Sequence, residues 1–244
     1  KMAGMLRAMK EADGNYRAQD RSQSGLVGGD GGKMADYARQ GDTLCGPFLS
    51  EVMAGALRMG ECNACMKRIV AAPTAGACGV LPAVLLPYAR HFGAVEDKLI
   101  EALYVASGFG MVIAARASIS GAECGCQAEI GTACSMAAAA LAELYHQDLD
   151  QVEYAAEVAM EHHLGLTCDP ICGLVQIPCI ERNAVAAVRA MNACNLSYFL
   201  TGSRNISYDM VCRAMRETGV NLDHRFRETS EGGLAKLYNR RKKL

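Results

Sequence analysis

Hydrophobic positions recur at helical spacing along most of the chain. Val52, Ala56 and Met59, for example, lie three or four positions apart, which places them on one face of a helix. No segment alternates apolar and polar residues with β-branched enrichment, so we predict an all-α fold without a sheet. The predicted helices cover 2–11, 33–39, 48–70, 80–92, 95–117, 132–145, 148–163, 179–200 and 207–217.

The segment 95–117 is apolar nearly all round, so we expect it to be the central helix around which the others pack. It approaches the length of a membrane span, but Glu101 interrupts it, and Lys98 and Arg116 lie near its ends. We therefore interpret it as a buried helix and predict no membrane association.

Helix starts and loops complete the pattern. Thr132, Asp148 or Asp150, and Ser207 stand where N-cap residues are expected. Loops are predicted for 15–32, which is rich in glycine, for 73–79, for 118–131 and for 165–178. Loops on a rigid helical scaffold commonly carry binding residues, so the candidate chemistry is expected there.

Composition narrows the class of protein. A length of 244 residues suits one large domain or two small ones, and a net charge of −1 gives no electrostatic reason to bind nucleic acid. No signal-peptide pattern is visible, and we predict a cytoplasmic location. In a reducing compartment the twelve cysteines are metal ligands, catalytic thiols or packed core residues.

Cys62 and Cys65 are three residues apart within a predicted helix, and they could bind a metal from one helix face. No second pair follows at the spacing of a zinc site, which favours core packing for both. Cys78 lies in the turn 73–79, where packing explains a small residue as well as chemistry does.

The remaining clustered cysteines lie in two loops. In the sequence Cys124-Gly-Cys126 the two thiols can point to opposite sides, so one ligand is more plausible than two. Prolines keep the backbone around Cys168 and Cys179 irregular, and such loops supply spare N–H groups to a cluster. Their spacing does not match a ferredoxin run, so the residues alone leave a metal site and core packing both open.

Longer motifs resemble a known family. The stretches RIVAAPTAGACGVLPAV (68–84), SGAECGCQAEIGTACSMAAAAL (120–141) and GLTCDPICGLVQIPCIERNAVAAVRAMNA (165–193) resemble the α domain of the iron–sulfur L-serine dehydratases. SQSGLVGGDGGKM (22–34) and ETSEGGLA (228–235) resemble the same family in the same order. The resemblance covers nearly the whole chain after about Asn15.

The resemblance implies an all-helical domain that holds a 4Fe–4S cluster through Cys126, Cys168 and Cys179. One iron would carry no protein thiolate and would be open to L-serine, which the family converts to pyruvate and ammonia without pyridoxal phosphate. Such an iron can act as a Lewis acid on the substrate hydroxyl. The family also places three further cysteines near the site as non-ligands, namely Cys78, Cys124 and Cys172.

Donors for the substrate carboxylate are expected in two glycine-containing segments, through hydroxyl and backbone N–H groups. Without the resemblance, these glycines would be interpreted as tight turns only. The candidate substrate-binding residues are Ser24, Gly25, Gly28, Gly29, Asp30, Gly31, Thr74, Ala75 and Gly76. We expect Asp30 to orient loop amides or the substrate ammonium, because it cannot pair with a carboxylate.

The resemblance also implies a β domain or separate β subunit, which is absent from this chain. Residues 1–244 would then form one α-type catalytic domain, with 1–14 and 221–244 peripheral. None of the five histidines lies in a motif loop, although His162 and His163 come just before one. We therefore expect the general base to come from the β partner. Homo-oligomer formation is left open.

Two departures from the family and two rival functions remain. Val27 stands where the family often has threonine, and the last cysteine is Cys212, so no cysteine near the C-terminal end could reach back to a cluster. L-Cysteine desulfidases resemble the same domain and would expel sulfide. A cluster-binding module without activity is the rival from another class.

Overall fold

The computed structural model describes residues 1–199 and 205–241, which form α-helices joined by loops. Within these ranges no strand occurs; one isolated parallel bridge joins Cys168 and Arg227. The all-α prediction is confirmed, while Leu200 and residues 242–244 lie outside the described residues. The helices are α1 Met2–Gly14, α2 Asp30–Arg39, α3 Gly46–Ala64, α4 Val80–Phe92, α5 Glu96–Arg116, α6 Gly121–Cys124, α7 Thr132–Leu144, α8 Leu149–Glu161, α9 Cys179–Phe199, α10 Tyr208–Asn221 and α11 Gly233–Arg241.

Helix α7 is the centre of the molecule. Every residue of α7 except Glu143 is buried, and the helix packs against α4, α5, α8 and α9. Its run of alanines, 137–140, presents only methyl groups, so four helices can approach its axis closely. The small alanine side chains therefore allow this short helix to be surrounded by four others.

The prediction that the segment 95–117 is central was wrong. Helix α5 buries one face through residues such as Leu99, Leu103 and Ile113, while Tyr104 and Met111 are exposed. Its larger apolar side chains suit a helix packed on one side against α7 and α1. By length and composition alone α5 could also cross a membrane, and 33% of its most apolar window is buried in this fold.

Two predicted N-caps are confirmed and one is wrong. Asp148 forms a reciprocal capping box with Gln151, and the Ser207 hydroxyl accepts a hydrogen bond from the Met210 N–H. Thr132 caps nothing, because α7 continues directly from a π-helical turn, Gln127–Gly131, on unbroken helical backbone. The loop predicted before α7 is thus largely helical.

Several helix boundaries also differ from prediction, including the ends of α1 at Gly14 and of α10 at Asn221. Helix α2 begins at Asp30, three residues early, because Gly29 adopts a left-handed backbone (φ 87°) that sets the helix start. Helix α3 ends at Ala64, before Val70, and Met66 with φ 60° turns the chain away.

Both terminal segments, which we expected to be peripheral, contribute contacts to the core or the loops. Helix α1 buries Leu6 and Met9 among the core residues. Helix α11 was not predicted, and the residues just before it pair with the loop that carries Cys168. That loop is the starting point of the candidate site.

Candidate active site

Three thiols from distant parts of the sequence meet at one buried place. Cys126 follows the bend at Gly125, Cys168 lies on extended backbone, and Cys179 is the first residue of α9. All three are buried, with exposed fractions of 2%, 3% and 8%. Cys126 and Cys168 share a hydrogen bond, and Cys179 is close enough to Cys126 to interact with it electrostatically.

The three thiols differ in their readiness to ionise. The hydrogen bond from Cys168, and then the guanidinium of Arg182, hold the pKa of Cys126 below its ordinary value. The same hydrogen bond raises the pKa of Cys168, and burial raises that of Cys179 to about 12. Of the three thiols, Cys126 therefore loses its proton first. The resulting thiolate is the form of cysteine that binds metals.

Arg182 belongs to a buried ion pair that joins three elements. It lies one turn after Cys179 on α9, donates to the Thr167 carbonyl at 2.6 Å and pairs with Asp169 at 3.2 Å. The second oxygen of Asp169 accepts the N–H of Leu234 in α11 at 2.6 Å. Asp169, with 2% of its surface exposed, thus fixes the Cys168 loop to α9 and α11.

The segment before α11 completes the surroundings of Cys168. The Cys168 N–H donates to the Phe226 carbonyl at 2.7 Å, and the Glu228 N–H donates to the Cys168 carbonyl at 2.7 Å. The Ser230 hydroxyl donates to the Pro170 carbonyl at 2.7 Å. Both backbone groups of Cys168 are therefore satisfied by residues almost sixty positions later.

Gln127 ties the first cysteine loop to the second. Its amide donates to the carbonyls of Cys124 at 2.9 Å and Met215 at 3.0 Å, and its oxygen accepts the Gly165 N–H at 3.0 Å. The residue is fully buried, so each of these bonds forms away from competing water.

Asn183 ties Cys179 to the turn 73–79 in the same way. Its amide donates to the carbonyls of Gly76 and Cys179, each at 2.7 Å, and its oxygen accepts the Gly79 N–H at 2.9 Å. Sequence reasoning missed Gln127 and Asn183, because their type alone does not distinguish a buried connector from a surface amide.

Glu129 is a carboxyl in this site that sequence reasoning also missed. The π-helical turn aims it between Gly121 and Gly76: a Cβ atom on Gly121 would lie 2.7 Å from Glu129 Oε2 and 3.1 Å from Cys168 Sγ. A Cβ on Gly76 would lie 3.4 Å from Oε1. Burial raises the pKa of Glu129, and the nearby Thr74 hydroxyl partly offsets this.

Some of the predicted substrate-binding residues lie at this place. Thr74 and Gly76 adjoin Glu129. The Thr74 hydroxyl oxygen is buried, and no described residue lies in good hydrogen-bonding geometry to it. Ser24 donates to Gln176 at 2.6 Å, next to Val175, which packs against Gly76.

Ala75 is exposed at the tip of the turn, and Gly25 is exposed with nothing within 4 Å of where its Cβ would lie. Both are open to a ligand. In the described part of the chain, neither forms a hydrogen bond with one of the three thiols.

The remaining predicted residues form the start of α2. The N–H groups of Asp30 and Gly31 donate to the Glu61 carboxylate at 2.7 and 3.3 Å. The Asp30 side chain is exposed and pairs with Lys33, so Glu61 orients the loop amides, not Asp30 as we expected. Gly28 and Gly29 pack closely against residues 18–21.

Tyr16 extends this arrangement. Its hydroxyl donates to Glu61 Oε2 at 2.7 Å and accepts the Gly32 N–H at 2.8 Å. The glycine-rich segment is therefore held by a buried carboxylate and a phenol.

The other clustered cysteines face elsewhere. Cys124 packs against Gly219 of α10, which supports the expectation that the Cys-Gly-Cys thiols point apart. Cys172 is exposed on left-handed backbone, and Cys78 packs with Ala12 and Met59. Across 1–199 and 205–241, no three His, Cys, Asp or Glu residues surround a single metal-ion position.

The two histidines before the Cys168 loop make helix-end contacts. His163 is buried, its Nδ1 is 2.7 Å from the Ala159 carbonyl, and burial lowers its pKa to about 4. His162 is exposed and contacts the Val158 carbonyl. His163 is thus neutral at physiological pH and occupied with the backbone.

Comparisons with known proteins show which proteins this chain resembles. A family model described as serine dehydratase alpha chain matches residues 1–235. L-serine dehydratase 2 of Escherichia coli (strain K12) is 53% identical over 181 residues, which cover 74% of this chain and 40% of that protein. L-serine dehydratase of Streptomyces coelicolor is 52% identical with the same coverage.

A third relative has a different length. The probable L-serine dehydratase, alpha chain, of Bacillus subtilis (strain 168) is 42% identical over 214 residues, covering 88% of this chain and 71% of the relative. The chain therefore spans less than half the length of the first two relatives and most of the third.

Proposed function

The chain belongs to the serine dehydratase alpha chain family, and on this premise we propose that it is the iron–sulfur part of an L-serine dehydratase. The overall reaction converts L-serine to pyruvate and ammonia. The observation that carries the proposal is the meeting of Cys126, Cys168 and Cys179 beside the turn that contains Thr74 and Gly76.

The donor set fits an iron–sulfur cluster by its chemistry. Thiolates are the usual ligands of such clusters, and three buried thiols interact here with a guanidinium beside them to balance negative charge. The thiolates of a cluster bind different iron atoms and need no common centre, so the lack of a single-ion site does not conflict with this fit. When bound, the cluster supplies a Lewis acid for the departing hydroxyl.

The protein residues then have distinct tasks. The turn 74–76 offers backbone N–H groups and the Thr74 hydroxyl to the substrate carboxylate. Loss of the Cα proton and of hydroxide from Cβ gives aminoacrylate, which tautomerises to the imine and is hydrolysed to pyruvate and ammonia. Burial lowers the pKa of His163 to about 4, which makes it a weak base, and its Nδ1 is occupied by the Ala159 carbonyl, so we assign proton abstraction to a group outside this chain.

A β partner is part of the proposal. The chain spans 40% of the length of two relatives, and a third is named an alpha chain, which supports a further domain or subunit that works with this one. The exposed rim near Ala75 and Gly25 leaves room for such a partner to close over the substrate.

The proposal is tested by anaerobic reconstitution of the chain with iron and sulfide, followed by iron counting, spectroscopy and mixing with the β partner. Pyruvate release is then measured with L-serine and with L-cysteine. We expect release from serine, and almost none from the chain alone. Faster release from cysteine would support a desulfidase, while a loaded but inactive complex would support a non-catalytic module.

A further inference from the structure

The substrate carries a cationic group that the site so far leaves unmatched. An amino acid is a zwitterion at neutral pH, and the N–H donors of the turn 74–76 suit only its carboxylate. A buried ammonium needs an anion or several acceptors, because its transfer from water is otherwise very unfavourable. The site should therefore contain a carboxylate that is not already used by a protein cation.

The other carboxylates near the thiols are placed differently. Asp169 is paired with Arg182. Glu228 lies on the segment whose backbone N–H donates to the Cys168 carbonyl. Glu123 accepts a hydrogen bond from the Ser118 hydroxyl at 2.5 Å and is exposed. Glu129 differs from these, since its neighbours are the Thr74 hydroxyl, two glycines and Glu228, with no Lys or Arg paired to it in the described part of the chain.

The position of Glu129 matches that of a substrate-contacting group. Its carboxylate lies between Gly76 of the turn and Gly121, close to Cys168, and it remains partly exposed. Both neighbouring residues are glycines, and a Cβ at Gly121 would come within 2.7 Å of its oxygen. The two glycines thus leave space beside the Glu129 carboxylate that a side chain at either position would occupy.

We propose that Glu129 binds the α-ammonium group of the amino-acid substrate, an assignment that rests on the proposed function. The carboxylate of the substrate then faces the N–H groups of the turn, and its ammonium faces Glu129 across Gly76. This arrangement fixes which face of Cα is turned to the partner and gives the site its preference for amino acids over hydroxy acids.

The test compares two ligands that differ only in the ammonium. On the reconstituted protein that turns over serine, serine binding is followed through its KM, and binding of L-glycerate, in which a hydroxyl replaces the ammonium, through its inhibition constant. Glu129→Gln should weaken serine binding by about 30-fold, as expected for loss of a charged hydrogen bond. Binding of glycerate should change less than about 3-fold, with iron content and absorption spectrum unaltered.

Two further variants make the result decisive. Glu129→Asp retains the charge and should still bind serine more tightly than glycerate, and Glu123→Gln, in the same loop, should leave both affinities unchanged. Equal weakening of both ligands by Glu129→Gln, or a loss of kcat with unchanged serine affinity, would overturn the assignment. A wild-type protein that neither binds nor converts serine would overturn the proposed function, and the assignment with it.

Discussion

Cys126 and Cys134 are eight residues apart and equally buried, yet they behave oppositely. Cys134 lies in the first turn of α7, where its Sγ donates to the Ala186 carbonyl, and burial raises its pKa to about 12. Cys126 forms hydrogen bonds with the Cys168 thiol and with Arg182, and these lower its pKa. Burial alone therefore does not identify a functional cysteine; the polar groups around it do.

The same contrast holds for the two regions as wholes. The helical core around α7 consists mainly of apolar side chains, whereas the loop region is held by buried polar connectors such as Gln127, Asp169 and Asn183. Substitutions in the first region should affect packing, and those in the second should affect the site.

The largest effect is expected at Cys126. Cys126→Ser should remove the most acidic thiol and lower both cluster retention and serine turnover by about 100-fold or more. Iron per chain and pyruvate release measure the two losses. Cys134→Ala is the matched control and should keep both near wild-type values; a cluster-free Cys134→Ala variant would contradict the division between the regions.

Arg182 should matter next most. Arg182→Met leaves Asp169 as an uncompensated buried carboxylate and should lower the free energy of unfolding by about 3 kcal/mol. Urea denaturation measures this loss. Arg189→Met changes an exposed arginine on the same helix and should cost far less. Similar losses for the two variants would show that the buried pair does not hold the loops together.

A smaller effect is expected at Asn183. Asn183→Ala removes two donated and one accepted hydrogen bond and should cost about 2 kcal/mol of stability. Because these bonds join the turn at Gly76 to Cys179, KM for serine should rise as well. Asn192→Ala, at an exposed position of α9, is the control and should change neither quantity.

The smallest effect is expected at Glu157, which is an exception in the helical region. It is buried, and one of its oxygens has no hydrogen-bond partner within 1–199 and 205–241. Burial, followed by repulsion from Glu161, raises its pKa to about 8. The folded chain thus prefers the protonated acid. Its contribution to stability falls as pH rises from the unfolded value of 4.5 to about 8, and then stays constant.

Glu157→Gln should therefore raise the melting temperature at pH 8 and flatten its decline between pH 5 and 8, with a gain of about 1 kcal/mol. Thermal melts at several pH values measure both changes. Glu181→Gln, at an exposed position, should leave the profile unchanged. A Glu157→Gln variant that is less stable at pH 8 would mean that the ionised carboxylate has a partner.

The sequence predicted the helical class, most helix bounds and the convergence of two cysteine loops, because spacing and motif order are local or family-wide signals. It did not predict that α7 is central. A run of alanines has a helical propensity in any context, and only the packed structure shows that its small side chains let other helices approach. Glu129 was missed because the π-helical turn that aims it has no simple sequence pattern. Gln127 and Asn183 were missed because their partners are backbone groups far along the chain.

The pairing of Cys168 with residues 226–228 also has a consequence for the order of assembly. A ribosome makes all three cysteines of the site before it makes the segment that forms hydrogen bonds with the Cys168 backbone. The Leu234 N–H, which donates to Asp169, is made later still. During synthesis Cys168 therefore lies on a loop that does not yet have its final neighbours. Under the proposed function, cluster assembly follows the synthesis of residues 226–228, and newly made chain without a cluster should be the fraction most exposed to oxidants.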